Sequence, residues 1–309
     1  MNKAEKLLFG TAGVPLSTNP RDTVNAMKRL RELGLDAMEI EYVRGTFPGE
    51  NKARLIASVA QEQNIRLTAH GPYYINLNAD DPEKLKNSRK RILKTAFFGG
   101  LSGAESITFH AGFFLQQDPV KVYRRISKEL EDLVVEIKKM DVDIDVRPEL
   151  TGKGSQFGSL EEILNISKDV EGIKPCIDWA HLHARSGAFN TAAEFLTVLD
   201  TVRETLGEEA LKEFHMHIAG IEYTAKGERK HLNLDESDFN YKELFRVLKD
   251  NGVCGFVICE SPSLEEDALI LKNYYEIMKM RSKLQFLRRS YNGYLTIFIF
   301  IWTTTININ

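Results

Sequence analysis

Six of the seven histidines, His70, His110, His181, His183, His215 and His217, lie in or just after apolar, β-prone runs, and only His231 falls well out in a polar loop. Glu149, Asp178 and Glu260 end runs of the same kind. A carboxylate at the end of a buried strand is costly to desolvate unless it is paired or bound to a cation. Several on one face repel each other unless a cation sits between them. Imidazole together with carboxylate suits zinc, manganese or ferrous iron. In "CIDWAHLH", Asp178 and His181 are candidate ligands and His183 reads as a bystander. His215 and His217 alternate about Met216, so both face one side of a strand. His217, nearer the strand end, is the preferred ligand, and His215 lies one layer deeper. The set His70, His110, Glu149, Asp178, His181, His217 and Glu260 is too large for one ion, since zinc takes four ligands. Two or three ions sharing a carboxylate is the economical arrangement, with Glu149 as the bridge.

The elements that must position these residues alternate. Strand-like runs are read at 6–13, 37–43, 65–71, 106–112, 143–150, 174–181, 213–220 and 254–261. Each is followed by a helix-like stretch: from Asn19-Pro20 to about Gly34, then 50–63, 82–101, 119–140, from Ser159, 191–212, 241–251 and 264–280. Pro at a first turn, Gly past an end and the Ser159/Glu162 capping box mark their limits. In the second helix Ala53, Leu55, Ile56 and Val59 are expected on one buried face. None of the histidines is expected inside a helix. Eight β–α units with no Pro/Gly/Ser-rich divider predict an α/β fold, a (β/α)8 TIM barrel with parallel strands and right-handed crossovers. A barrel gathers the C-terminal ends of all its strands at one mouth, so ligands distant in sequence converge there.

Composition is ordinary for a globular chain, 43% hydrophobic and 28% charged in 309 residues. The net charge of -3, from 41 basic and 44 acidic residues, neither supports nor excludes a nucleic-acid partner. The three cysteines, Cys176, Cys254 and Cys259, read as reduced core residues, and the short apolar run at the N-terminus is not a signal peptide. A cytoplasmic monomer with no membrane partner is expected. Residues 1–289 are expected to form the single barrel domain. Residues 290–309 read as an apolar tail outside the fold, the competing reading being an interfacial anchor.

With these residues in place, the sequence resembles the endonuclease IV family of apurinic/apyrimidinic endonucleases, from about Leu8 to Lys279. The resemblance rests on "AHGPYYINL", "TFHAG", "PELTGKGSQFG", "CIDWAH", "HIAG", "KH" and "ICESP", in that order. It implies a trinuclear zinc site in a TIM barrel. One zinc would use His70, His110 and Glu149. A second would use Glu149, Asp178, His217 and Glu260. A third would use His181, His231 and an aspartate two residues before His231. Here that position is Arg229: either Glu228, one residue further back, substitutes through a loop shift, or the third site is incomplete and one ion is lost; the wording "HIAGIEYTAKGERKH" points to a divergent branch. The resemblance also implies metal-assisted hydrolysis of the phosphodiester 5′ to abasic sites in DNA. Glu149 would bridge ions, and Glu260 would ligate one and orient the attacking water. Arg44 and Tyr73 match by position the loop residues that wedge the DNA, and Lys153, in the Gly-rich loop at the mouth, is a candidate phosphate contact. The basic helix carrying Lys84, Lys86, Arg89, Lys90, Arg91 and Lys94 reads as an outer barrel face.

Two other functions compete. Glu149, Asp178, His217 and Glu260 alone would serve a sugar isomerase or epimerase holding one or two manganese ions. Arg229 at a ligand position would suit a non-catalytic DNA-binding relative.

Overall fold

The computed structural model describes residues 4–290. Eight strands, β1 (Leu7–Ala12), β2 (Ala37–Glu41), β3 (Arg66–His70), β4 (Ala104–Phe109), β5 (Asp145–Pro148), β6 (Ile177–Asp178), β7 (Phe214–Ile218) and β8 (Gly255–Cys259), run parallel in chain order. β8 returns to pair with β1, Leu7 opposite Gly255. The seam between β5 and β6 is closed by parallel bridges Val146–Ile173 and Glu149–Cys176. There the Cys176 N–H donates to the Pro148 carbonyl at 3.1 Å and the Leu150 N–H to the Cys176 carbonyl at 3.0 Å. The (β/α)8 barrel expected from the sequence is therefore the observed fold.

Helices α1 (Thr23–Leu33), α2 (Glu50–Gln63), α3 (Pro82–Leu101), α4 (Pro119–Ile137), α5 (Leu160–Asp169), α6 (Trp179–Ser186), α7 (Ala192–Leu206), α8 (Tyr241–Asp250) and α9 (Glu265–Ser290) surround it. Leu30, Ile56, Ile92, Leu130, Ile163, Phe195, Phe245 and Leu271 fill the space between helices and strands. Each such side chain contributes about 1.5–3 kcal/mol by leaving water. The capping box at Ser159 and Glu162 forms as read. Arg89 of the basic helix α3 is paired with Glu129 and Glu136 of α4, which ties that face to its neighbour. No helix of the described residues is long and apolar enough to cross a membrane.

Several expectations are corrected. α1 starts at Asp22 rather than Asn19, because the Asp22 carboxylate accepts the N–H groups of Val24 and Asn25. Leu55 is exposed, since it lies on the solvent side of the turn that buries Ile56. Cys254 is only partly buried, unlike Cys176 and Cys259. The sixth strand is two residues long, and the chain turns at once into α6, so His181 and His183 are helical. Asp178 causes that turn: its Oδ1 accepts the His181 N–H at 2.7 Å and caps the helix. The polar loop after β7 is a β-hairpin, Gly220–Thr224 against Gly227–Leu232, and it carries His231. Ser290, read as the first residue of the tail, ends α9, and residues 291–309 lie outside the described residues.

Candidate metal centre

Strand alternation sends one side chain inward at the C-terminal end of nearly every strand. His70 ends β3, His110 and Glu149 follow β4 and β5, Asp178 ends β6, His217 is the penultimate residue of β7, and Glu260 follows β8. His70, His110, Glu149 and Glu260 line a cavity of about 500 Å³ together with Tyr73, Lys153, His181, Glu228 and His231, while Asp178 and His217 are buried behind it.

Glu149, 1% exposed, is the centre of this arrangement. Its Oε2 lies 3.0 Å from His70 Nε2 and 3.3 Å from His110 Nε2. Its Oε1 lies 3.2 Å from His181 Nδ1 and 3.3 Å from His217 Nδ1. Burial alone would raise its pKa, but His110 and His217 outweigh that and hold it well below the usual carboxylate range. Glu260, facing His217 Nδ1 at 3.4 Å, is pushed up by burial.

The donor atoms fall into adjoining groups, each compact enough to hold a metal ion: His70, His110 and Glu149; Glu149, Asp178, His217 and Glu260; Asp178, His181 and His231. The orientations suit a cation. His70 Nδ1 lies 2.7 Å from the Gly71 carbonyl, which fixes Nδ1 as donor and leaves Nε2 for the centre. Asp178 Oδ2 and His217 Nδ1 are buried in it with no hydrogen-bond partner. His181 and His231 approach Nε2 to Nε2 at 3.3 Å, which two N–H donors cannot do. These orphaned donors fit a bound metal.

The third group depends on the hairpin. Its pairing slips between Glu222 and Tyr223, so that Glu222 opposes Lys230 while Tyr223 opposes Glu228. Arg229 is the extra residue of this β-bulge, is 62% exposed and pairs with Glu222. Glu228 is thereby turned inward, its Oε2 3.6 Å from His181 Nε2. Its N–H donates to the Gly152 carbonyl at 3.0 Å. A Cβ on Gly152 would fall 2.6 Å from Glu228 Cβ, so glycine there permits the approach.

Two inward carboxylates escaped the sequence reading, Glu39 and Glu41 of β2. Their signal was available: acidic residues at alternating positions of "AMEIEYV", on the face that a closed barrel turns inward. Glu39 lies one layer below the mouth. Its Oε1 faces His217 Nε2 at 3.0 Å, and its Oε2 faces His215 Nε2 at 3.1 Å and accepts the Thr68 hydroxyl at 2.7 Å. His215, with Ser106 on its Nδ1 side, is held neutral by burial, its pKa pushed down to about 4. The deeper position expected for His215 is the observed one. Carboxylates behind ligand histidines fix their orientation and basicity. Glu39→Gln, which can accept from one imidazole only, is expected to weaken metal binding about 10–100-fold. Competition against a chelating dye measures this, and melting temperature controls for folding. Burial lifts the Glu41 carboxyl to about 8.

The histidines also set a pH dependence. Burial would depress His70 and His181, but Glu149 beside the first, and Asp178 with Glu149 beside the second, lift both to about 10. At neutral pH the metal-free protein keeps a proton on each, and a metal ion displaces both. Affinity therefore rises with pH, by about two decades per unit for two protons, until the folded pKa is reached. Calorimetric titration of metal-free protein in buffers of different ionisation enthalpy should show at least these two protons released.

Of the remaining sequence candidates, Lys153 lines the cavity, and its carbonyl is held by Arg185 at 2.9 Å. Tyr73 stands at the rim, 61% exposed, its ring 5.9 Å from that of His70. Arg44 is exposed in the turn after β2 and does not line the cavity. His183 faces Asp238 at 3.1 Å, away from the centre, as a bystander would.

A family model for xylose isomerase-like TIM barrels matches residues 27–289. An uncharacterised protein of Methanocaldococcus jannaschii, MJ0133, is 42% identical over 276 residues, covering 89% of this chain and 99% of the relative. A probable endonuclease 4 of Mycoplasma genitalium is 24% identical over 202 residues, 64% of this chain and 67% of the relative. Among solved structures, endonuclease IV of Thermus thermophilus superposes with a TM-score of 0.69 at 18% identity, covering 89% of this chain and 99% of its own. A D-tagatose 3-epimerase-like protein superposes at 0.65 and 19% identity, covering 88% and 99%. The barrel, its closure and these matches agree: the chain belongs to the xylose isomerase-like TIM barrel family, with endonuclease IV proteins among its relatives.

Proposed function

We propose that the protein is a metal-dependent endonuclease that hydrolyses the phosphodiester 5′ to abasic sites in DNA, with two to three zinc ions per chain. One observation carries the reading: the mouth assembles three adjoining donor groups around Glu149, where a sugar isomerase needs one. Bound there, such ions acidify water and neutralise phosphate charge. The side chains then have separable tasks. Glu149 links the first two groups, and Asp178 links the second to the third. Glu260, between His217 and His231, holds the water in line. Lys153 meets the phosphate from the cavity wall. Tyr73 at the cavity rim and Arg44 just outside it stand where a bent duplex would press, and extruding a sugar costs least where no base is stacked.

The test is incision of a duplex with one abasic site by zinc-loaded protein. Cleavage 5′ to the lesion is expected, and no incision at any salt low enough for DNA binding removes the proposal. The second reading, a sugar epimerase, draws on the four-donor group Glu149, Asp178, His217 and Glu260, which suffices for one ion. Metal content separates the two, since three zincs favour the nuclease and one or two manganese ions the epimerase.

A further inference from the structure

The cavity has two chemically different arcs. From β3 round to β8 every strand supplies a donor to the metal-competent groups. The remaining arc, at β1, β2 and the loop after β8, offers Ala12, Val43 and Leu264 and a single carboxyl, Glu41. Glu39 and Glu41 face the same way, two residues apart on β2. Glu39 accepts the Thr68 hydroxyl and lies within ion-pair distance of His215 and His217, one layer below the cavity. Glu41 belongs to none of the metal-competent groups, and its Oε1 is buried without a hydrogen-bond partner. The chain closes behind it, since a Cβ at Gly13 would stand 3.2 Å from Glu41 Cγ. Its neighbour in register on β3 is His70, so the carboxyl sits where the donor arc begins.

A buried carboxyl with no partner is costly unless a ligand supplies one. A phosphate belongs instead with the donor arc, whose metal-competent groups would neutralise its charge. A hydroxyl on an otherwise apolar ring can supply that partner, and that is what the arc of Ala12, Val43 and Leu264 would admit. Resting on the nuclease reading, we propose that this arc seats the abasic deoxyribose and that Glu41 accepts the hydrogen bond of its C1′ hydroxyl, the group that replaces the lost base. Glu41 is then the residue that reads the lesion, while the donor arc takes the phosphate. A site built to hydrogen-bond a hydroxyl discriminates strongly against the analogue that lacks it, because its own polar group is left unpaired.

The experiment compares two probes on the metal-loaded protein by calorimetry: 2-deoxyribose 5-phosphate and 1,2-dideoxyribose 5-phosphate, which lacks only the hydroxyl in question. The native protein should bind the first about 10-fold more tightly or better. In Glu41→Leu the ratio should collapse to about one, and in Glu41→Gln, which still accepts a hydrogen bond, most of it should return. Equal affinity of the native protein for the two probes overturns the proposal, as does a ratio that survives Glu41→Leu. Incision of duplexes carrying the natural abasic site or its tetrahydrofuran analogue is measured in parallel. Failure to cut either duplex removes the nuclease reading, while the binding ratio still decides the role of Glu41.

Discussion

Glu149→Gln is expected to abolish the proposed incision, by at least about 10³-fold, and to prevent metal binding at the first two donor groups. The carboxylate stands within 3.3 Å of four imidazoles, two on each oxygen. An amide replaces one oxygen by an N–H donor that would point at two of those rings. It also removes the charge that holds the surrounding histidines in place. The native carboxylate is buried, so its partners have no water to replace it, and a buried group that loses its partner typically costs about 3–5 kcal/mol. Metal analysis of the purified variant, with circular dichroism to confirm folding, separates loss of the centre from loss of the fold. Incision within tenfold of native would refute the linking role of Glu149.

Glu228→Ala is expected to lower metal content by one ion per chain and the proposed incision by about 10–100-fold or more. Arg229→Ala should change either by no more than about twofold, as befits an exposed ion pair. The contrast arises from the bulge. In a regular strand the residue two before His231 would share its face, and that residue is Arg229. The slip in pairing makes Arg229 supernumerary and gives its place to Glu228. Two further variants sharpen the point. Deleting Arg229 leaves Glu228 two residues before His231 on an unbulged strand, so metal content should hold. Glu228→Ala combined with Arg229→Asp keeps an acid at the family position but outside the centre, so it should stay deficient. If the double variant recovers the third ion, the bulge does not control the site.

The sequence was most legible where a strand ends. His70, His110, Glu149, Asp178, His217 and Glu260 each interrupt or close an apolar run, and burying a charge there is expensive enough to betray a purpose. Eight repeats of the β–α pattern then dictate where those ends go, because a closed parallel barrel has one mouth. Glu39 and Glu41 were as visible by type, but their meaning depended on which face of β2 turns inward, and a strand with apolar residues on its outer face and acids on its inner one inverts the usual expectation. The helix at Trp179 was obscured because β6 needs only two residues once Asp178 caps α6 directly behind it.

Alone, then, the sequence determined the barrel, the convergence of six strand-end donors and the deeper place of His215, since periodicity fixes both fold class and the direction of alternate side chains. Only the tertiary structure decided the third donor group and the arc opposite it. Whether Glu228 or Arg229 faces the centre is set by one residue of register in a hairpin, and a slip of one reverses every side chain beyond it. That register is held by contacts remote in sequence, the Glu228 N–H on the Gly152 carbonyl and the close approach that glycine allows there.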